Sequence, residues 1–179
     1  MEIFSERLML VPLSSKDIPD IHRMNCFEEV ARYNTIGIPK NMEATAELLN
    51  DAINGDRSTL PYKLGWTIRT KSEQHFLGEM GMRLSSKKYN SAEIHYSLLP
   101  SEWGKGYASE AASALILWGF DHLKLHRITA GVATANERSI KLLEKIGMTK
   151  EGLCRQILPI RGEWVDNYQY AILASDLTA

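Results

Sequence analysis

Apolar residues alternate with polar or small ones along Leu64, Trp66 and Ile68, then along Phe76, Gly78, Met80, Met82 and Leu84, and again along Ile94, Tyr96 and Leu98. A period of two marks a strand with one buried face, so consecutive strands are predicted here, the last stopped by Pro100. Upstream, residues 3–12, with Ile3, Leu8 and Leu10, predict one strand that enters a helix capped near Ser14 or Ser15. Ile18, Ile21 and Met24 would form that helix's apolar stripe. A loop is expected over Tyr33–Lys40, then a helix over 43–54 with Ala44, Leu48 and Ala52 on its inner face and Gly55 as its stop. The Ala- and Leu-rich run from Tyr107 to His122 is the longest helical signal. Ile128, Ala130 and Val132 predict a short strand. Residues 137–146 predict a helix ended by a left-handed Gly147, and 148–158 and 164–173 predict two strands around a Pro159–Gly162 turn. This order implies a mixed α/β (α+β) sheet with helices on both faces and a right-handed crossover within 93–132.

Composition narrows the field without deciding it. The 179 residues, with no repeat and no Pro/Gly/Ser linker, suit a single domain spanning 1–179. A formal charge of −1 argues against direct nucleic-acid binding, and the tryptophans do not interleave with a basic stripe. Apolar runs are too short to span a bilayer, and Met1-Glu2-Ile3-Phe4 lacks the layout of a signal peptide, so a cytoplasmic location is expected. Cys26 and Cys154 lack metal-ligand spacing and read as two thiols rather than one disulfide. No HExxH or Cys/His cluster suggests a metal.

The chemistry is carried by Trp103-Gly104-Lys105-Gly106-Tyr107-Ala108-Ser109-Glu110-Ala111, between a strand end and a helix start. Small residues there let backbone approach a ligand, and first-turn amides with the helix dipole suit a pyrophosphate. The run is neither a P-loop nor a dinucleotide fingerprint. Taken together, Glu93-Ile94-His95-Tyr96-Ser97-Leu98, the Trp103–Ala111 run, Leu125-His126-Arg127-Ile128, and Asn136-Glu137-Arg138-Ser139 with Glu144-Lys145-Ile146-Gly147-Met148 resemble the GNAT acetyltransferases. Ser5-Glu6-Arg7-Leu8-Met9-Leu10-Val11-Pro12-Leu13, Glu151-Gly152 and Trp164-Val165-Asp166 are similar to the RimJ/RimL branch, the ribosomal-protein N-terminal acetyltransferases.

The resemblance implies a mixed, mostly antiparallel sheet of six to seven strands and acetyl-CoA as cosubstrate, with no metal. It places the pyrophosphate on Trp103, Gly104, Lys105, Gly106, Tyr107, Ala108 and Ser109, with Trp103 replacing the family's polar Gln or Arg. The pantetheine arm would pair with the strand ending at Leu98 and Leu99, one of whose amides would polarise the acetyl carbonyl. Asn136 would contact the arm. Ser139 would face the sulfur, since the tyrosine common in the wider superfamily has no equivalent after Asn136. Glu93 and His95 lie two apart and so on one strand face. Glu93 is the first candidate base, directly or through water, with His95 a substrate-specific acid/base or a packed imidazole. Asp166 would bind the acceptor. Lys105, Arg138 and Lys141 are candidates to lie near the phosphates.

The expected reaction is direct attack by a primary amine, from a protein N-terminus or a small molecule, on acetyl-CoA in a ternary complex. An inactive acyl-CoA-binding module or a scaffold of the same fold is the alternative. The protein would be a monomer or homodimer. Segments 25–42, 84–91 and 155–165, expected to shape the acceptor pocket, carry no motif.

Overall fold

The computed structural model describes residues 1–58 and 61–177. Its strands form one eight-stranded sheet in the order β1-β2-β3-β4-β5-β6-β8-β7. They are β1 (Ile3–Phe4), β2 (Leu8–Pro12), β3 (Lys63–Thr70), β4 (Phe76–Leu84), β5 (Ser91–Leu98), β6 (Arg127–Ala133), β7 (Thr149–Ile160) and β8 (Glu163–Leu173). Every neighbouring pair is antiparallel except β5 and β6. The parallel step is forced by the helix between those strands, which returns the chain to the same end of the sheet.

The single strand expected over 3–12 is two strands. Ser5 N–H bonds to Leu8 O at 3.0 Å, reversing the chain so that Ile3 pairs with Leu10. That reversal supplies the strand beyond the six or seven expected. The C-terminal hairpin also runs longer than predicted. Arg161 and Gly162 both take positive φ (53° and 83°), and such a two-residue turn matches strand twist, so Pro159 stays in the ladder opposite Trp164. Proline is tolerated there because β7 is an edge strand.

The helices are α1 (Ile18–Asn25), α2 (Glu28–Ala31), α3 (Met42–Asn54), α4 (Tyr107–Leu123) and α5 (Glu137–Lys145). Helix α4 buries Ala111, Ala112, Leu115, Ile116 and Phe120 against Trp66, Ile68, Met80, Met82 and Ile94. Full burial of each large aliphatic side chain contributes about 1.5–3 kcal/mol, so this seam is a main source of stability. On the opposite face, α1 and α3 pack over Gly65, whose missing side chain is replaced by Leu13 and Ala52. Helix α3 is rotated from the predicted stripe. Thr45 is fully buried and Leu49, Ala52 and Ile53 pack inward, while Leu48 is exposed. A half-buried His22–Thr45 hydrogen bond of 2.8 Å links α1 to α3 and accompanies that rotation.

Candidate active site

Strands β5 and β6 pair only at Ser91–Arg127, Ala92–Ile128 and Glu93–Thr129. Beyond this they continue to Leu98 and Ala133 without pairing to each other, each held by its other neighbour. The sheet therefore splits into a wedge with a free backbone edge on each side. Leu99 N–H donates to Leu77 O at 2.9 Å and belongs to the β4 ladder. Since successive residues of a strand address opposite neighbours, Leu98 faces the wedge. Its carbonyl accepts the Trp103 indole N–H at 2.9 Å. Of the two amides expected to polarise a carbonyl, that of Leu99 is thus already committed.

At the mouth of the wedge the turn into α4 holds Gly104 and Gly106 at φ +78° and +82°. The amides from Gly104 to Ser109 have no protein acceptor among the described residues, and the first helical bond is Glu110 N–H to Gly106 O, 3.1 Å. The turn is braced from outside. Glu110 accepts from Ser5 Oγ (2.7 Å), Arg7 N–H (2.7 Å) and Arg7 Nε (2.6 Å), while Arg7 Nη1 donates to Lys105 O at 3.2 Å. Partial burial pushes the Glu110 carboxyl up, but these donors hold it below the ordinary carboxylate value. A shallow cavity of ≈ 410 Å³ beside the turn is lined by Arg7, Lys105, Gly106, Ser109, Glu110, Ser113, Lys145 and Ile146. A larger cavity of ≈ 480 Å³, between β1 and the outer side of α4, does not touch the wedge.

On the α5 side of the wedge, Tyr96 Oη and Ser139 Oγ share a 2.6 Å hydrogen bond. Burial raises the Tyr96 phenol to about 12, partly countered by Ser139, so it stays protonated at neutral pH. Asn136 opens α5, its side-chain oxygen accepting from Ser139 N–H at 3.3 Å. That oxygen caps the helix, which leaves the amide nitrogen and one oxygen lone pair for other contacts. Arg138 stacks over Trp103 at 4.9 Å.

The other side of the sheet carries Glu93 and His95, as the two-residue spacing predicts. Glu93 is exposed. His95 lies 3.6 Å from Glu79, whose side chain is only 12% exposed, while its own is 58% exposed. Desolvation of the ring lowers the His95 pKa, but Glu79, with Glu93 adding charge, more than offsets this and raises it above the ordinary histidine value. Asp166 does not join this group. It precedes Asn167 and falls on the opposite face by strand alternation. Its Oδ1 accepts from Gln156 N–H at 2.8 Å and so pins the irregular stretch of β7.

Sequence reading missed several of these residues. Glu79 was detectable as an acid within the apolar run Phe76–Leu84. The alternation of Ile94, Tyr96 and Leu98 marks Tyr96 only as an apolar strand position. The Arg7–Glu110 pair, 103 positions apart, left no local trace. Among the described residues no cluster of His, Cys, Asp or Glu could hold a metal, no helix is long and apolar enough to cross a membrane, and both cysteines are free.

The wedge and the helix-opening glycine turn beside it make up one candidate active site, and comparison with known proteins gives the family. Residues 7–149 match the acetyltransferase (GNAT) domain, so the chain belongs to the GNAT acetyltransferases and is an acyltransferase. It is 33% identical over 171 residues to the uncharacterized N-acetyltransferase YoaA of Bacillus subtilis, covering 94% of each chain. A GNAT acetyltransferase structure from Bacillus anthracis superposes with a TM-score of 0.84 at 31% identity, covering 97% of this chain and 98% of that one. The Vibrio cholerae spermidine N-acetyltransferase, solved with CoA and spermine, also has a TM-score of 0.84, at 23% identity over 97% and 99% of the two chains. That last likeness extends the shared fold to a polyamine enzyme, so the RimJ/RimL branch expected from motifs is not established.

Proposed function

We propose that the protein transfers acetyl from acetyl-CoA to a primary amine by direct attack in a ternary complex. What carries the reading is the continuity between the unpaired amides of Gly104–Ser109 and the free wedge edge at Leu98. A diphosphate on the first and an acyl-pantetheine along the second would be held by backbone alone. Trp103 at the position of the family's polar residue then removes nothing essential. The cations Arg7, Lys105 and Lys145 around the neighbouring cavity suit the remaining anionic end.

In this reading the amine nitrogen attacks the thioester carbonyl carbon. Leu98 N–H stabilises the developing oxyanion, the C–S bond breaks, and the thiolate is received by Ser139 with Tyr96 behind it. An alkylamine with pKa about 10 costs about 4–5 kcal/mol to deprotonate at pH 7. His95, backed by Glu79 and by the field of Glu93, takes the proton that the nitrogen sheds. Holding both substrates supplies about 7–11 kcal/mol, one aimed amide about 3–4 kcal/mol, and a base about 10²–10⁴-fold in rate. Positioning dominates.

The acceptor face carries the carboxylates Glu79 and Glu93, which favours a cationic small amine over a protein N-terminus. The test is thiol release from acetyl-CoA with spermidine, free amino acids and an alanine-initiated peptide, products being read by mass spectrometry. Amine-dependent thiol with an acetylated product is expected. Binding of acetyl-CoA without amine-dependent release would refute the reading.

A further inference from the structure

A transverse row of the sheet, on the face away from α4, is almost bare of side chains. Gly65 pairs with Gly81, and Gly81 with His95. Two residues past the last β5–β6 pair, His95 comes level with Gly131, which pairs with Gln169. On either side of the wedge a polar side chain lies down over a glycine. A Cβ on Gly81 would stand 2.3 Å from His95 Cε1, and one on Gly131 would stand 3.1 Å from Asn167 Oδ1. The imidazole and the carboxamide thus lie on one face of the sheet, on the two sides of the wedge.

Asn167 is 5% exposed, and its Oδ1 is buried with no hydrogen-bond partner among the described residues. Buried acceptors are almost always satisfied, so an orphan beside a reaction cleft asks for a donor from elsewhere. The mechanism above leaves such a donor over. A primary amine gives one proton to the base and its lone pair to the carbonyl, which leaves an N–H unspent.

Resting on that reading, we propose that Asn167 belongs to the acceptor subsite: its Oδ1 accepts a hydrogen bond from the incoming primary amine and holds the nitrogen between itself and His95. A neutral carboxamide suits this task. A carboxylate at the same place would favour the ammonium form and keep the nucleophile protonated. Asn167 is a binding residue that selects N–H donors, and Gly131 gives its amide room to lie flat.

The test compares wild type with Asn167→Leu and Asn167→Asp, using whichever of spermidine, free amino acids or the alanine-initiated peptide gives most thiol release. Asn167→Leu keeps the branched outline, with bulkier ends, and removes the orphan. It should raise KM for the amine about 3- to 10-fold, the weight of one hydrogen bond, leave KM for acetyl-CoA unchanged and not lower Tm. Asn167→Asp should keep KM for the amine near wild type while lowering kcat at pH 7, with recovery by pH 9. Unchanged amine KM in Asn167→Leu, or a fall in Tm with both KM values unchanged, would overturn the proposal and leave the reaction standing. Absence of amine-dependent thiol release from wild type would remove the reaction and this assignment together.

Discussion

Replacing Gly106 by alanine separates the shape of the turn into α4 from its chemistry. Gly106 sits at φ +82°, where a Cβ costs about 1–2 kcal/mol. That Cβ would stand 3.4 Å from Arg7 Nη2, an ordinary contact, so strain rather than collision sets the penalty. In a chain of this size about 1 kcal/mol moves Tm by about 2–4 °C, and Gly106→Ala should melt about 2–8 °C lower. If the backbone instead relaxes to negative φ, the Gly106 and Tyr107 amides turn away from their common direction. Each amide-to-phosphate bond then lost is worth about 1.5–3 kcal/mol, or about 10- to 150-fold in Kd for acetyl-CoA. Calorimetric titration and thermal melts measure the two quantities separately. Gly104→Ala is the companion variant, at φ +78° with nothing within 4 Å. Unchanged Tm together with unchanged acetyl-CoA affinity in Gly106→Ala would refute the assignment of the turn to the phosphates, because relief of the strain must turn the amides away.

The remaining predictions concern protons and hydrogen bonds. Ser139→Ala should lower kcat about 10- to 150-fold with little change in acetyl-CoA affinity, since it removes a donor to a charged leaving group. Tyr96→Phe should act through Ser139, and a double-mutant cycle on kcat should show coupling of about 0.5–1.5 kcal/mol; additivity would separate the pair. Because Glu79 is among the groups that raise the His95 pKa, His95 must lose its proton above the ordinary histidine value before it can act as base. Glu79→Gln should therefore move the acidic limb of the kcat/KM profile to lower pH, whereas His95→Gln should abolish that limb; an unmoved limb in both would exclude His95 as base. The Glu110 carboxyl has a lowered folded-state pKa, so its stabilisation is full above the ordinary value of 4.5 and is lost as pH falls through the folded value. Glu110→Gln should cost about 1–3 kcal/mol at pH 7, and melting curves of mutant and wild type should converge in acid.

The strands around the site were legible because one of their faces is buried, which imposes a period of two on Leu64–Ile68, Phe76–Leu84 and Ile94–Leu98. Helix α4 and the glycine turn were legible for a similar reason. Small residues, positive-φ glycines and a left-handed Gly147 stop are local requirements written in local sequence. The predicted inner stripe of α3 failed because a short helix with few strong apolar residues takes its rotation from the partner it meets.

What the chain encodes locally is therefore strand and helix identity, the bend at Gly104–Gly106, and the placement of Glu93 with His95 on one face. Folding decided the rest. It chose Leu98 over Leu99 as the free edge, gave Tyr96 to Ser139 and Glu79 to His95, spent Asp166 on a backbone nitrogen, and left Asn167 without a donor beside the wedge. Those outcomes depend on how separate elements meet, and most of them on the register between strands. In a sheet a shift of one residue turns a side chain to the other face, so no local pattern contains the answer.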